Sequence, residues 1–501
     1  MRLDPQPVVS ERDLEFAKHC LVRDAGWSSV CGALFGGVVL VGYAIEVGAG
    51  PLEIGLLAAI PYLVQVLQIP ATVIVERYRR RKRLSVVLLT IARFIIVALA
   101  LLPVWAVGAA TVPLLLAGKF VISALSSVAG CALNSWLHQL LAGQPLGSFF
   151  SRRLVAGTVL GCLFTLAAGW VVEHPPLDDM NLGFAIAFAA SGIAGLISVR
   201  YLVRCPEPLM MPAGPAVSMA AKLAAPFRDR EFRPLLVTLG AWNFASNFAA
   251  PFLTVYLIQQ LDYRMGTVTQ LWVLNQLANA LTLYAWGRVS DRLSNKAILS
   301  VALPVFFLCT VALALARAGA PLGLQLALLA AVHVVMGVVG GGIGLAMGNL
   351  GLKLAPAGQG TAYLAAVGLV SSAAGGLAPL VAGSLGEWLE SSRLELLLRW
   401  SSASALHELS VLRFAHFEFL FAIAGLLGLY VMHALSRIRE GNHISERRVV
   451  QELLLEAQRT VDQLSSIGSL LSSLFSFDRL SERRAWFRQR PSEEGDRTGR
   501  P

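Results

Sequence analysis

The chain has 501 residues, of which 56% are hydrophobic and only 14% charged, and its 41 Lys and Arg outnumber 31 Asp and Glu for a net charge of +10. Soluble domains carry about 25% charged residues, so an ordinary soluble globular chain is excluded. Apolar runs of about 20 residues, the length that crosses a bilayer as a helix, recur along the sequence, and lipid leaves such runs no choice but helix because it offers backbone groups no partner.

In chain order, residues 1–24 read as a polar arm, and Met1–Lys18 lacks the apolar core of a cleavable signal, so the first apolar run starts insertion. Twelve spans are expected at about 25–46, 53–75, 84–107, 112–141, 151–173, 182–204, 234–259, 267–288, 297–316, 321–352, 360–386 and 412–436. Residues 25–204 and 234–440 thus form two six-helix halves, joined by a linker at 205–233. Pro206, Pro208, Pro212 and Pro215 disfavour helix in the first part of that linker, and Ser218–Arg230 suits a short surface helix. Between spans eleven and twelve, Glu387–Ser410 is amphipathic. Residues 441–501 form a tail. Within it, 443–475 keeps apolar residues at 3–4 spacing, an amphipathic helix for the membrane surface or for a protein partner.

Sorted by loop, roughly 34 of the 41 Lys and Arg fall on one side of these spans, the asymmetry that marks the cytoplasmic face. Both termini are then cytoplasmic, in a multi-pass protein of the plasma membrane, a bacterial inner membrane by type. The six cysteines, at 20, 31, 131, 162, 205 and 309, show no metal spacing and no disulfide framework. No phosphate-binding loop, zinc motif or hydrolase elbow occurs, so neither a cofactor, nor enzyme activity, nor a nucleic-acid partner is expected.

Two charged turns organise the chain. Gly287-Arg-Val-Ser-Asp-Arg-Leu-Ser-Asn-Lys296 lies between two apolar runs, and Val75-Glu-Arg-Tyr-Arg-Arg-Arg-Lys82 is an earlier version of it. Glu76 aligns with Asp291 and Arg77 with Arg292 at an offset of 215, which also relates Trp27 to Trp242. Ile193-Ala-Gly-Leu196 recurs as Ile423-Ala-Gly-Leu426 at an offset of 230. A glycine, then Asp-Arg, then a basic residue between the second and third helices, echoed between the eighth and ninth, resembles the major facilitator superfamily of secondary transporters. The first turn departs from that pattern, with Thr72 for the glycine and Glu76 for the Asp. The resemblance implies an all-α membrane fold with twelve transmembrane helices in two pseudo-symmetric six-helix bundles, and substrate bound between the halves. It further implies that Glu76 meets residues 359–361 and Asp291 meets residues 148–151 when the cytoplasmic side is closed, with Arg77 and Arg292 bracing them. These four are the expected gating residues.

Candidate substrate contacts follow from polar residues inside apolar helices, which must face protein or a watery cavity. Span four carries Lys119, Ser123, Ser126, Ser127, Gly130, Asn134 and His138 in steps of 3 or 4. Span seven offers Asn243 and Asn247 one turn apart, and span one offers Trp27. His333 in span ten is the repeat-mate of Lys119 at an offset of 214, can titrate near neutral pH, and is the candidate for proton coupling. Asn275, Asn279 and the line Gly337, Gly340, Gly344, Gly348 read as helix-packing residues. Arg93 in span three reads as a packing charge or one with a partner in a neighbouring helix, and His416 with Glu418 as a local network at the far end of span twelve. No acid lies in the middle of spans one, four, seven or ten as drawn, which favours an anionic or zwitterionic substrate. The reading is a secondary active transporter of a small solute working by alternating access, with efflux favoured by the family. The alternatives are a non-transporting membrane scaffold or assembly factor that keeps this fold, or a lipid or amphiphile transporter.

Overall fold

The computed structural model describes residues 4–7, 9–105, 108–142, 144, 146–210, 219–316, 321–356, 360–401, 406–438, 440, 449, 451 and 452. Among them lie twelve helical rods. Span one is Glu11–Leu34 continued by Gly37–Glu46. Span two is Pro51–Leu63, a 3-10 turn at Val64–Leu67, and Gln68–Tyr78. Spans three to six are Arg81–Leu99, Thr111–Leu140, Leu146–Glu173 and Met180–Arg204. Span seven is Arg233–Val255 with a π-turn at Tyr256–Gln260. Spans eight to twelve are Met265–Arg292, Asn295–Leu313, Leu322–Lys353, Gly360–Trp388 and Glu418–Ser436. Nine helical stretches among the described residues are long and apolar enough to cross a membrane, and spans three, seven and eight fall short. Span three packs Arg81, Lys82, Arg83 and Arg93 into its length, while spans seven and eight carry the Asn pairs.

Two breaks follow from local chemistry. Span one is interrupted at Gly36-Gly37, where Gly37 has φ +46, a conformation that suits glycine. Span two tightens to 3-10 geometry between Pro61 and Pro70, each of which removes a backbone donor from the helical ladder. Span one begins at Glu11, well before the residue 25 expected from hydropathy, because Ser10 caps the polar first turns by accepting from the Asp13 N–H. The linker helix is Met219–Arg228, and it packs against span eleven.

The halves mirror each other. Span one packs on five and six as span seven packs on eleven and twelve. Span three packs on four and six as span nine packs on ten and twelve. Between halves, span two meets eleven and span five meets eight. The face carrying the linker is called here the terminal face, and the opposite one the far face. One buried apolar cluster spans both halves on the far side and includes Val30, Ile54, Ala168, Phe248, Leu271 and Ala378. On the terminal side the core divides in two, one cluster around Trp136 in the first half and one around Trp286 in the second. The halves are therefore closed together at the far face and parted at the terminal face.

The segment after span eleven is a two-stranded antiparallel sheet, β1 (Arg393–Ser401) and β2 (Leu406–Ala415), with a register shift at Leu396/Leu397. Span twelve accordingly starts at Glu418, six residues later than expected, where the Glu418 carboxylate accepts from the Ala415 N–H. The expected span took in Leu412–Ala415, the end of β2, because Val411, Leu412, Phe414 and Ala415 continue the apolar run of the following helix. The residues 443–475 expected to form an amphipathic helix lie, apart from Val449, Gln451 and Glu452, outside the described residues.

Candidate functional site

The break in span one sets the geometry of the site. Phe35 ends the first helical segment, so its carbonyl is free of the helical ladder, and the Lys119 ammonium donates to it at 3.0 Å while lying 5.5 Å from the Phe35 ring centroid. Lys119 lines a cavity of about 340 Å³ among spans one to four, with Gln65, Gln68, Ser123, Ser126 and Ser127. Arg93 lines the same cavity. Its aliphatic stem packs where Gly195 of span six leaves room. Arg93 Nε and Ser127 Oγ are buried without a protein hydrogen-bond partner. The sequence reading gives Arg93 a packing role or a partner in a neighbouring helix; it packs on span six, and it also lines the cavity that Lys119 lines.

A larger cavity of about 680 Å³ lies among spans one, five and eight, lined by Ser29, Arg153, Thr158, Thr165, Trp272 and Gln276. Gly32 borders both cavities, so the two flank span one. Behind Arg153 sits Asp24, 3% exposed, which accepts from Ser198 Oγ at 2.6 Å and lies 3.9 Å from Arg153. The sequence reading places Asp24 in the polar arm. Extension of span one to Glu11 makes it an intrahelical acid, and the expectation that the middle of span one lacks acids depended on starting that span at residue 25.

The other expected site residues divide. Asn247 joins the halves: Tyr62 of span two donates to its side-chain carbonyl at 2.8 Å, and its amide donates to the Asn243 carbonyl. The Asn243 amide is spent on the Leu239 carbonyl. Asn134 is exposed, two turns from Ser127 toward the terminal face on the same stripe. Trp27 packs edge-on against Phe164 of span five and lines neither cavity. Ala25, Ser29 and Ala33 do line the larger one, and two residues of helical rotation turn Trp27 to the opposite side. Trp242 instead packs on Phe306 and Phe307 of span nine, which is not the mirror position of span five. The mouth contacts explain this. Gly55 meets Gly383 as Thr269 meets Gly169, an offset of 214, so two tryptophans at 215 face about 100° apart.

His333 is 5% exposed between spans eight and ten. Its Nδ1 bonds the Leu329 carbonyl, and its own backbone carbonyl accepts from the Asn275 amide at 2.9 Å. It lines neither cavity. Span eight approaches span ten at Gly337, Gly341 and Gly342, the last against the Trp286 ring, whereas Gly344 and Gly348 face open space. The packing stripe thus departs from the expected line after Gly340.

Glu76 and Arg77 are exposed and make no ion pair among the described residues, as befits a parted terminal face. The side chains of Asp291, Arg292 and residues 357–361 lie outside the described residues. What holds these turns is a carboxylate that neither motif includes. Glu207, 1% exposed, accepts from the Arg81 N–H at 2.7 Å at the start of span three. Glu440 accepts from the Lys296 N–H at 2.7 Å and from Asn295 at 3.0 Å at the start of span nine. Burial pushes the Glu207 carboxyl above the usual range despite bonds from Lys82 and Arg81. Burial also raises Glu440, but bonds from the Lys296 backbone, Asn295 and Lys353 outweigh it and hold the group below its usual value.

The sequence model of the Major Facilitator Superfamily matches residues 26–379. The chain belongs to the major facilitator superfamily. No curated relative matches its sequence. Among solved structures, this superfamily member resembles the nucleoside transporter NupG. A substituted form of NupG aligns at TM-score 0.64 and 13% identity over 85% of this chain and 100% of that one, and NupG itself at 0.60 and 10% over 86% and 100%. A POT family transporter in complex with a thioalcohol-conjugated peptide aligns at 0.56 and 13% over 86% and 96%. At these identities the likeness is one of fold, a multi-pass bundle of the secondary-transporter type.

Proposed function

We propose that this chain is a secondary active transporter that moves a small anionic or zwitterionic solute by alternating access, with Lys119 and Arg93 holding the acidic group. One observation carries the reading. Two cations share a single cavity with an unpartnered Arg93 Nε and Ser127 Oγ, and no carboxylate among the described residues lines that cavity. Buried donors without acceptors are costly, and an anion supplies acceptors to several at once.

The clustering of Lys and Arg supports a cytoplasmic terminal face, so the closed far face and parted terminal face correspond to an inward-open state. In the opposite state Glu76, Arg77, Asp291 and Arg292 would latch the cytoplasmic side. Proton coupling is better assigned to Asp24 than to His333. Asp24 is buried next to a cavity-lining arginine, while the His333 ring is engaged in packing between two helices of one half.

The test is ligand-induced thermal stabilisation of the purified transporter across a panel of organic anions, zwitterions and neutral solutes, in wild type, Lys119→Ala and Arg93→Ala. Loss of one charge-assisted contact of about 1.5–3 kcal/mol predicts roughly 10- to 150-fold weaker binding of the responding anion. Unchanged affinity in both variants would sink the reading.

A further inference from the structure

The repeated motif Ile193-Ala-Gly-Leu196 and Ile423-Ala-Gly-Leu426 meets different side chains in the two halves. Its first copy lies where span six packs on span three, its second where span twelve packs on span nine. A Cβ on Gly425 would run into Val311, so the gap in the second half takes an aliphatic side chain. A Cβ on Gly195 would run into Arg93 Cδ, with Arg93 Nε at 2.7 Å and Cγ at 2.9 Å. These three nearest atoms belong to one side chain, the one that carries a cation to the cavity. The position of Arg93 in the second half is Leu308 (308 − 93 = 215), 69% exposed, so the repeat supplies no matching cation.

The spacing of the two helices is set one turn away. Besides the Val97 side chain, a Cβ on Gly192 would meet the Val97 backbone nitrogen at 3.1 Å and the Arg93 carbonyl oxygen at 3.4 Å, so spans three and six already run backbone against backbone. Parting them to admit a methyl group at 195 would open that contact, whereas turning the Arg93 side chain would not. Arg93 Nε makes no protein hydrogen bond, so packing of the stem rather than a bond at that nitrogen fixes where it points.

We propose that Gly195 is a positioning residue of the anion site: its missing side chain is the bed for the Arg93 stem and holds the unpartnered Nε at the cavity that Lys119 lines. This rests on the transporter reading, in which Arg93 and Lys119 hold an acidic group. Alanine at 195 displaces the very donor assigned to the anion and leaves Lys119 in place.

The test has a ligand-free readout and a binding readout. Arginine Nε–H resonances are recorded on the full-length protein with isotope-labelled arginine, in detergent, and Arg93 is assigned by its loss in Arg93→Lys. Gly195→Ala should move the Arg93 resonance. Gly425→Ala, the same change in the second copy of the motif, should leave it in place. Binding of acetate, lactate, succinate and inorganic phosphate is then followed by thermal stabilisation. Gly195→Ala should weaken the anion that binds the parent by roughly 10-fold or more, as for a lost charge-assisted contact. In an Arg93→Ala background the same change should alter affinity by less than about twofold, because no stem is left to displace. An unmoved Arg93 resonance, unchanged anion affinity in Gly195→Ala, or an equal loss in the Arg93→Ala background overturns the proposal. If Gly195→Ala does not fold, adding Arg93→Ala should restore a cooperative melt, and a double variant that stays unfolded overturns it as well. Failure of every anion to bind the parent, or unchanged affinity in Arg93→Ala, counts against the anion reading alone, and the resonance still decides what Gly195 does.

Discussion

Gly55 is where span two lies closest to span eleven. A Cβ there would run into the Pro379 carbonyl and crowd Gly383, backbone against backbone, so no side chain can swing aside. Gly55→Ala also gains helix propensity, by about 0.5–1 kcal/mol, but that gain is common to both conformations and cancels between them. The clash exists only while the far face is closed. Overpacking of this kind costs about 1–3 kcal/mol, so the equilibrium should move toward the far-open state by about 5- to 150-fold. Met265, buried against Gly42 at the same mouth, is a suitable reporter. As Met265→Cys in a background free of native cysteines, its reaction with a membrane-impermeant maleimide from the far side should accelerate by that factor. Gly130→Ala, at a helical glycine with open space around it, is the control and should leave the rate unchanged. Equal rates in Gly55→Ala and its parent, in folded protein, would refute the closed-mouth geometry.

Tyr62→Phe removes the hydrogen bond to Asn247 that ties the halves. A loss of about 0.5–1.5 kcal/mol should raise far-open occupancy by roughly 2- to 12-fold in single-molecule fluorescence, and no shift would count against this tie. Glu207→Ala leaves the 2%-exposed Arg81 without its carboxylate and should lower stability by about 3–5 kcal/mol. Glu207→Gln keeps an acceptor for the Arg81 N–H and should cost less, an order that chemical unfolding checks. Glu440 sits below its usual carboxylate range in the folded protein. Its contribution is thus fully present above the unfolded value of about 4.3 and is lost as pH falls through the folded value. Glu440→Gln should lower stability at neutral pH by about 0.3–2 kcal/mol and flatten this acid-side loss in melting curves. A variant that retains the full acid-side loss would place its origin elsewhere.

Much of the architecture is written in one-dimensional signals. Apolar runs, the one-sided Lys and Arg, and a charged turn repeated about 215 residues apart specify a duplicated bundle before any contact is known. The Lys119, Ser123, Ser127 line is legible for the same reason, since one helix face is a matter of spacing. The misses occurred where facing is set by another helix. A one-residue difference in offset is negligible in sequence and about 100° in space, so Trp27 and Trp242 match as letters and diverge as neighbours.

Hydropathy could not reveal that Ser10 extends span one to include Asp24, or that Arg93 lines the same cavity as Lys119. What the sequence by itself determined is what each helix contains and how the two halves correspond, because membrane insertion and helical periodicity act along the chain. Which polar groups meet, and which face is shut, only the tertiary structure decided. Those depend on close approaches at Gly55, Gly169 and Gly383 between residues one hundred or more apart in sequence.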